Sequence, residues 1–147
     1  MRTIIIEDEK PAARRLGRML ESLDLEVSTM LHSVDEAIQW FQENEHPDLI
    51  FLDIQLSDGL SFEIFDVIEV HSAIIFTTAF DEYALKAFKL NSIDYLLKPI
   101  DDEDLEQAVK KYRKRFKVES EPNKIALDFE DIKKLLVNPL EREYKKR

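Results

Sequence analysis

Short apolar runs alternate with amphipathic stretches along the chain. The first run, residues 2–6, is apolar from Ile4 to Ile6, which is typical of a strand buried on both faces, whereas residues 10–23 repeat their apolar positions at helical spacing. The same alternation continues to residue 117. The predicted strands are 2–6, 25–30, 48–53, 73–78 and 93–97, and the predicted helices are 10–23, 33–44, 60–70, 81–90 and 101–117.

Five strand–helix repeats predict a parallel sheet with helices on both of its faces. Because crossovers between parallel strands are right-handed, such repeats wind into a doubly wound sheet. We therefore predict an α/β fold for residues 1–117.

Composition narrows the classes of function. The 147 residues are 44% hydrophobic and carry a net charge of −10, which predicts one ordinary domain and argues against direct binding of nucleic acid or an anionic membrane. The absence of cysteine excludes disulfides and zinc–thiolate sites, and two glycines are too few for a dinucleotide or P-loop fingerprint. No signal peptide or membrane-spanning run is evident, so we expect a cytoplasmic protein without a membrane partner.

Polar residues follow the predicted strands at their carboxyl ends, where doubly wound sheets gather their working groups. Glu7 and Asp8 follow the first strand, Asp53 ends the third, Thr78 ends the fourth and Lys98 follows the fifth. Converging carboxylates repel one another unless a cation joins them. Oxygen ligands with open positions suit Mg²⁺, so we predict that Asp53 meets this metal and the Lys98 ammonium.

Such a site suits phosphoryl transfer. A carboxylate beside Mg²⁺ and a lysine can attack phosphorus and become an acyl phosphate. The metal and Lys98 would neutralise the charge on the transferring oxygens, and Thr78 could donate a hydrogen bond to one of them.

The segments "IIIEDE", "LIFLDIQLSDG", "IIFTTA" and "DYLLKP" resemble the receiver domains of two-component response regulators, over roughly residues 2–117. The resemblance implies a flavodoxin-like strand order of 2-1-3-4-5. It makes Asp53 the phosphoacceptor and Asp8 a direct Mg²⁺ ligand, with Glu7 close by through water and the Gln55 carbonyl completing the protein ligands.

The same resemblance assigns a role to four residues near the last strands. Thr78 and Lys98 would hold the phosphoryl oxygens, Tyr95 would be the aromatic that rotates after Thr78, and the bond before Pro99 would be cis. Two departures stand out, since many receivers have Asp-Asp in place of Glu7-Asp8 and a proline in the loop that follows Asp53. The missing proline implies a less stiff loop.

The segment "TTAFDEYALKAFKLNSIDYLLKPID" is similar to receivers of the LytR/AlgR type, which carry a LytTR DNA-binding domain. On this basis residues 118–147 are a linker and connecting helix leading to a DNA-binding domain beyond the sequence; alternatively, the short tail is native and the receiver acts alone. The expected partners are a sensor histidine kinase, DNA through the missing domain only, and a second copy through the surface of residues 81–117.

Two other functions stay open. One is a phosphatase with an aspartate nucleophile, which resembles the pattern D-x-D-x-T, but Gln55 stands where the general acid is needed. The other is a receiver-like interaction module that is not phosphorylated.

Overall fold

A computed structural model of the protein describes residues 2–79 and 94–118, with side chains to residue 115. Five parallel strands form one sheet, and a two-stranded antiparallel hairpin lies beside it. Elements are numbered here among the described residues. The strands are β1 Thr3–Ile6, β2 Val27–Leu31, β3 Leu49–Asp53, β4 Gln55–Leu56, β5 Gly59–Leu60, β6 Ala73–Thr78 and β7 Tyr95–Leu97.

The five-stranded sheet has the order β2-β1-β3-β6-β7, and β4 pairs with β5 in the hairpin. With the hairpin strands set aside, this is the predicted order 2-1-3-4-5, which is confirmed. Four helices are described: α1 Lys10–Glu21, α2 Val34–Glu43, α3 Phe62–Val67 and α4 Asp102–Val118. The helix predicted for residues 81–90 and the tail from residue 119 lie outside the described residues.

The side chains of β1 show why helices cover both faces of the sheet. Ile4 and Ile6 pack in one core cluster with residues of α2 and α3, such as Phe41 and Ile64. Ile5 points to the other face, into a second cluster with residues of α1 and α4. Successive side chains of a strand alternate between faces, so the consecutive isoleucines of β1 supply both cores.

Two predicted elements, a strand and a helix, have different boundaries in the structure for local reasons. Strand β2 begins at Val27 rather than at residue 25, because the Leu25 N–H donates to the Leu20 carbonyl at the end of α1 (2.9 Å). Helix α3 spans only Phe62–Val67. Gly59 and Leu60, which precede it, belong to the hairpin strand that pairs with Gln55–Leu56, and Ile68, which follows it, has extended backbone angles. No helix within the described ranges is long and apolar enough to cross a bilayer.

Candidate functional site

The strand register brings two acids to one edge of the sheet. Ile6 is paired with Leu52, so Glu7 and Asp53 follow side by side on neighbouring strands. Both side chains are buried, since Glu7 is 4% exposed and Asp53 is 5% exposed. Ionised carboxylates are costly to bury without partners, so their surroundings determine what this edge can do.

Lys98 supplies that partner to both acids. Its Nζ lies 2.5 Å from Glu7 Oε1 and 2.8 Å from Asp53 Oδ2. The Lys98 backbone is held as well, because its N–H donates to the Thr78 carbonyl (2.8 Å). The Lys98–Pro99 bond is cis, as the resemblance implied. The pairing with Asp53 follows the sequence analysis, whereas the contact with Glu7 was not predicted.

Backbone donors occupy the remaining oxygens of the two buried acids. Glu7 Oε2 accepts a hydrogen bond from the Glu9 N–H (3.0 Å), and Asp53 Oδ1 accepts one from the Gln55 N–H (3.3 Å). Each carboxylate is thus held at both oxygens, which fixes the direction in which it faces. The longer bond to Asp53 Oδ1 leaves that oxygen the more weakly held of the four.

The cluster carries more negative than positive charge. Burial raises the pKa of Asp53, and the Lys98 ammonium opposes that rise without cancelling it. Burial and then the neighbouring Glu7 raise the pKa of Asp8. Burial lowers the pKa of Lys98, but its hydrogen bonds to Asp53 and Glu7 together outweigh burial and raise it, so the ammonium stays charged at neutral pH. One ammonium therefore faces three carboxyl groups.

The donor set fits a divalent cation with oxygen ligands. One carboxylate oxygen from each of Glu7, Asp8 and Asp53 lies within 4.8 Å of the others, the one such group of acidic, histidine or cysteine side chains in the described part of the chain. Asp8 is only partly buried, so the group is open to solvent on one side. Mg²⁺ binds through one or two carboxylates and keeps several waters, and a 2+ charge would balance the surplus of negative charge.

The other predicted residues lie near this edge. Thr78 ends β6 and is buried, and its neighbour Thr77 is paired with Asp53 in the sheet. Tyr95 is half-buried on β7, opposite Phe76, and packs against the core cluster that contains Ile4. Gln55 adjoins Asp53 through its backbone N–H, and its side chain is exposed.

The sequence analysis also missed the hairpin of β4 and β5 in this region. Its turn carries Asp58, whose two carboxylate oxygens accept hydrogen bonds from the Val34 N–H (2.8 Å) and the Asp35 N–H (3.1 Å) at the start of α2. The dipeptide Asp58-Gly59 is a known signal of a tight hairpin. That signal indicates a turn, but not the helix to which the turn is joined.

The fold and the site together define a doubly wound α/β domain with an acid–lysine centre at the carboxyl edge of its sheet. Residues 3–110 match the family model of the response regulator receiver domain. The chain belongs to this family.

Curated relatives agree with this assignment. The chain is 39% identical to the sensory transduction protein LytT of Bacillus anthracis over 119 residues, which cover 78% of the chain and 48% of that protein. It is 38% identical to the transcriptional regulatory protein LytR of Staphylococcus aureus over 117 residues, covering 77% of the chain and 47% of that protein. The chain thus spans about half the length of the curated relatives it matches.

Solved structures show the same fold. A two-component response regulator from Clostridium difficile superposes with a TM-score of 0.62 and 30% identity, covering 79% of this chain and 98% of that chain. The response regulatory domain of protein mrkE from Klebsiella pneumoniae gives a TM-score of 0.66 and 26% identity, covering 81% of this chain and 100% of that chain.

Proposed function

We propose that this domain is a phosphorylation switch in which Asp53 accepts a phosphoryl group from a sensor histidine kinase. The observation that carries the proposal is the position of Asp53, a buried carboxylate held between the Lys98 ammonium and the Gln55 N–H and within 4.8 Å of two further acids. Receiver domains are regulatory rather than catalytic, and we place this one in the cytoplasm, where a kinase can reach it.

In the transfer step a carboxylate oxygen of Asp53 attacks phosphorus. The bond between phosphorus and the donor, a histidine nitrogen of the kinase, breaks, and the donor keeps the electron pair and takes up a proton. The product is an acyl phosphate on Asp53. Lys98 then holds a phosphoryl oxygen in place of the carboxylate oxygen that it contacts at 2.8 Å, and Thr78 donates its hydroxyl to another.

Mg²⁺, held by Asp8, Asp53 and the Gln55 carbonyl with Glu7 close by, would offset the negative charge on the transferring oxygens. Without a cation the incoming phosphoryl group would meet three carboxyl groups and one ammonium. This charge balance predicts an absolute requirement for a divalent cation.

The output follows from packing around Thr78 and Tyr95. Thr78 moves toward the phosphoryl group, and Tyr95 turns into the space that this movement opens. That local change biases the surface of residues 81–117 between two arrangements. In the longer protein, two copies joined through this surface would bring two DNA-binding domains together, which would connect phosphorylation to transcription.

Part of this dimer surface is described. Leu97 is 37% exposed on the edge strand β7, and Lys110 and Lys111 lie on α4. Both lysines already have acidic partners in the same chain, Glu106 at 3.4 Å and Asp94 at 3.1 Å. Exposed ion pairs contribute about 0–1 kcal/mol each, so apolar contacts such as those of Leu97 must supply much of the association.

Sedimentation velocity with and without beryllofluoride, a phosphoryl mimic, tests the dimer. We expect the mimic to promote dimers, and the reversal of Lys110, Lys111 and Arg113 to glutamate to weaken them. Arg14→Glu is a matched control, since Arg14 is an exposed cation on α1, outside the surface of residues 81–117. Equal dimerisation of all variants would refute this surface, as would a chain that stays monomeric throughout.

Mass spectrometry after incubation with acetyl phosphate and Mg²⁺ tests the transfer itself. We expect one added phosphoryl group on the parent protein and on Asp102→Asn, a control that changes an exposed aspartate in the first turn of α4. Asp53→Ala and chelation of the metal should each abolish the label. If Asp53→Ala is labelled as fully as the parent, the assignment is wrong, and an unlabelled parent would favour an interaction module.

A further inference from the structure

The residues that lead into and begin α2 contact both loops that carry the acids. We call residues 32–36 the anchor turn. The N–H groups of Val34 and Asp35 have no partner inside the helix, because the first four N–H groups of any helix lack one. Asp58 accepts both, at 2.8 Å and 3.1 Å. The hydrogen bond from the Val34 N–H, and to a smaller extent that from the Asp35 N–H, lowers the pKa of Asp58, so the carboxylate stays charged.

Asp58 follows Asp53 closely along the chain, and the segment between them is part of the regular hairpin of β4 and β5. It lies in the two-residue turn of the hairpin, in which Leu56 is paired with Gly59 and Gln55 with Leu60. The Ser61 N–H donates to the Ile54 carbonyl and closes the base of the hairpin (2.9 Å). Because the paired strands join Asp58 to Gln55 within three residues, holding Asp58 also restrains Gln55, the residue whose N–H contacts Asp53 Oδ1.

The anchor turn also holds the other acidic loop. His32 Nδ1 lies 2.9 Å from the Glu7 carbonyl oxygen, and because a carbonyl only accepts, this nitrogen carries the hydrogen. The His32 N–H donates in turn to Glu36 Oε1 (3.0 Å). The backbone of Glu7 is therefore joined to the same turn that Asp58 joins to the hairpin.

We propose that Asp58 is a positioning residue for the divalent-cation site, because it fixes the hairpin after Asp53 to the anchor turn that also holds Glu7. The inference rests on the proposed function, since it concerns the same acids. Asp58 touches neither the acids nor the metal directly, and it acts by setting the separation between the Asp53 side and the Glu7 side of the site.

A simpler role for Asp58 is to stabilise α2, and Ser33 provides the matched control. Ser33 Oγ accepts a hydrogen bond from the Glu36 N–H (3.0 Å), which caps the same helix without any bond to the hairpin. Ser33→Ala and Asp58→Ala therefore both weaken the start of α2. Only Asp58→Ala also removes the hydrogen bonds that join the hairpin to α2.

The experiment is a titration of the full chain with MgCl₂, followed by the amide resonances of Asp53 and Gln55 in ¹⁵N NMR spectra, with urea unfolding of each variant in parallel. We expect Asp58→Ala to raise the half-saturating Mg²⁺ concentration about tenfold, at the low end for partners that orient metal ligands. Ser33→Ala should change it less than about twofold, although its urea midpoint falls comparably. Asp58→Asn, which keeps one acceptor oxygen, should give an intermediate value.

Each outcome bears on the proposal in one direction. Equal Mg²⁺ affinities in Asp58→Ala and the parent would overturn it, as would equal losses in Asp58→Ala and Ser33→Ala. A parent that binds no Mg²⁺ would overturn the proposed function and this inference together. A parent that binds Mg²⁺ normally while Asp58→Ala shows no loss would overturn the positioning role alone.

Discussion

Replacing Lys98 by methionine should destabilise the metal-free protein without unfolding it. The substitution keeps most of the aliphatic stem and removes the ammonium that contacts Glu7 at 2.5 Å and Asp53 at 2.8 Å. Breaking a buried ion pair costs about 3–5 kcal/mol. The Lys98 side chain is 21% exposed, which admits some screening by water, and Asp53 can take up a proton because its pKa is already raised.

These two effects reduce the expected cost to about 2–3 kcal/mol, from the buried-pair range. A domain of this size has about 5–15 kcal/mol of stability, so circular dichroism should show a native spectrum at 25 °C. Urea unfolding in the presence of a chelator measures the loss. Lys110→Met is the matched control, because the Lys110 side chain is 73% exposed and its pair with Glu106 should contribute less than about 1 kcal/mol.

Mg²⁺ should restore part of the stability lost in Lys98→Met. The variant presents three carboxyl groups without an ammonium, so it should bind the cation more tightly than the parent does. Binding to the folded state alone stabilises by RT ln(1 + [L]/Kd), about 1.4 kcal/mol when the ligand is at ten times Kd. The reasoning is refuted if the metal-free variant is as stable as the parent, or if Mg²⁺ raises both urea midpoints equally.

Three further predictions concern residues outside the acid–lysine site. Burial, and then repulsion from His71, lower the pKa of His46 below its ordinary value of 6.5. The stability that neutral His46 confers should therefore be lost as the pH falls below 6.5 and through the lowered pKa. In an NMR titration His71→Ala should raise the pKa of His46, and an unchanged pKa would contradict repulsion from His71 as a cause. Burial raises the pKa of Tyr112 to about 12, so absorbance at 295 nm should show a late phenolate that is missing in Tyr112→Phe. Gly59→Ala should cost about 1–3 kcal/mol in urea unfolding, because Gly59 has a φ of +149°, which a residue with a Cβ rarely adopts, and because the Cβ would displace the Glu63 carboxylate from the Leu60 N–H. Gly17→Ala should stay within about 1 kcal/mol of the parent, since its Cβ meets only the movable end of Met30 and alanine favours the helix.

The strands of the sheet were predictable because the pattern of apolar residues along the chain reports burial directly, whereas their order was implied by the resemblance to receiver domains. The strand Thr3–Ile6 is apolar at three of its four positions, and it is buried at every position. Helix α1 was equally clear, since its apolar residues recur on one face and Leu16 and Leu20 are buried there. Such signals depend on local spacing alone, so they do not require knowledge of the neighbours.

The contacts within the site were less predictable, because they depend on register between distant segments. Residue types at strand ends indicated that Lys98 and Asp53 would meet, but the choice of Glu7 as the second partner depends on the side-by-side register of β1 and β3. The bond from Val34 to Asp58 spans 24 residues. No periodic pattern marks such a pair, and a hairpin with two residues in each strand is too short for its own alternation to be read.

In the loop after Asp53, hydrogen bonds to α2 and α3 restrain the backbone where many receivers have a proline. A proline stiffens a loop by fixing φ in its own ring, and the chain has Leu56-Ser57 there instead, which implied a less stiff loop. The structure adds restraints from outside the loop: Asp58 is bonded to α2, and the Leu60 N–H donates to Glu63 Oε2 (3.0 Å). A proline ring restrains the backbone independently of the surrounding structure, whereas these hydrogen bonds restrain the loop only while α2 and α3 are folded against it. The geometry around Asp53 therefore depends on the neighbouring helices.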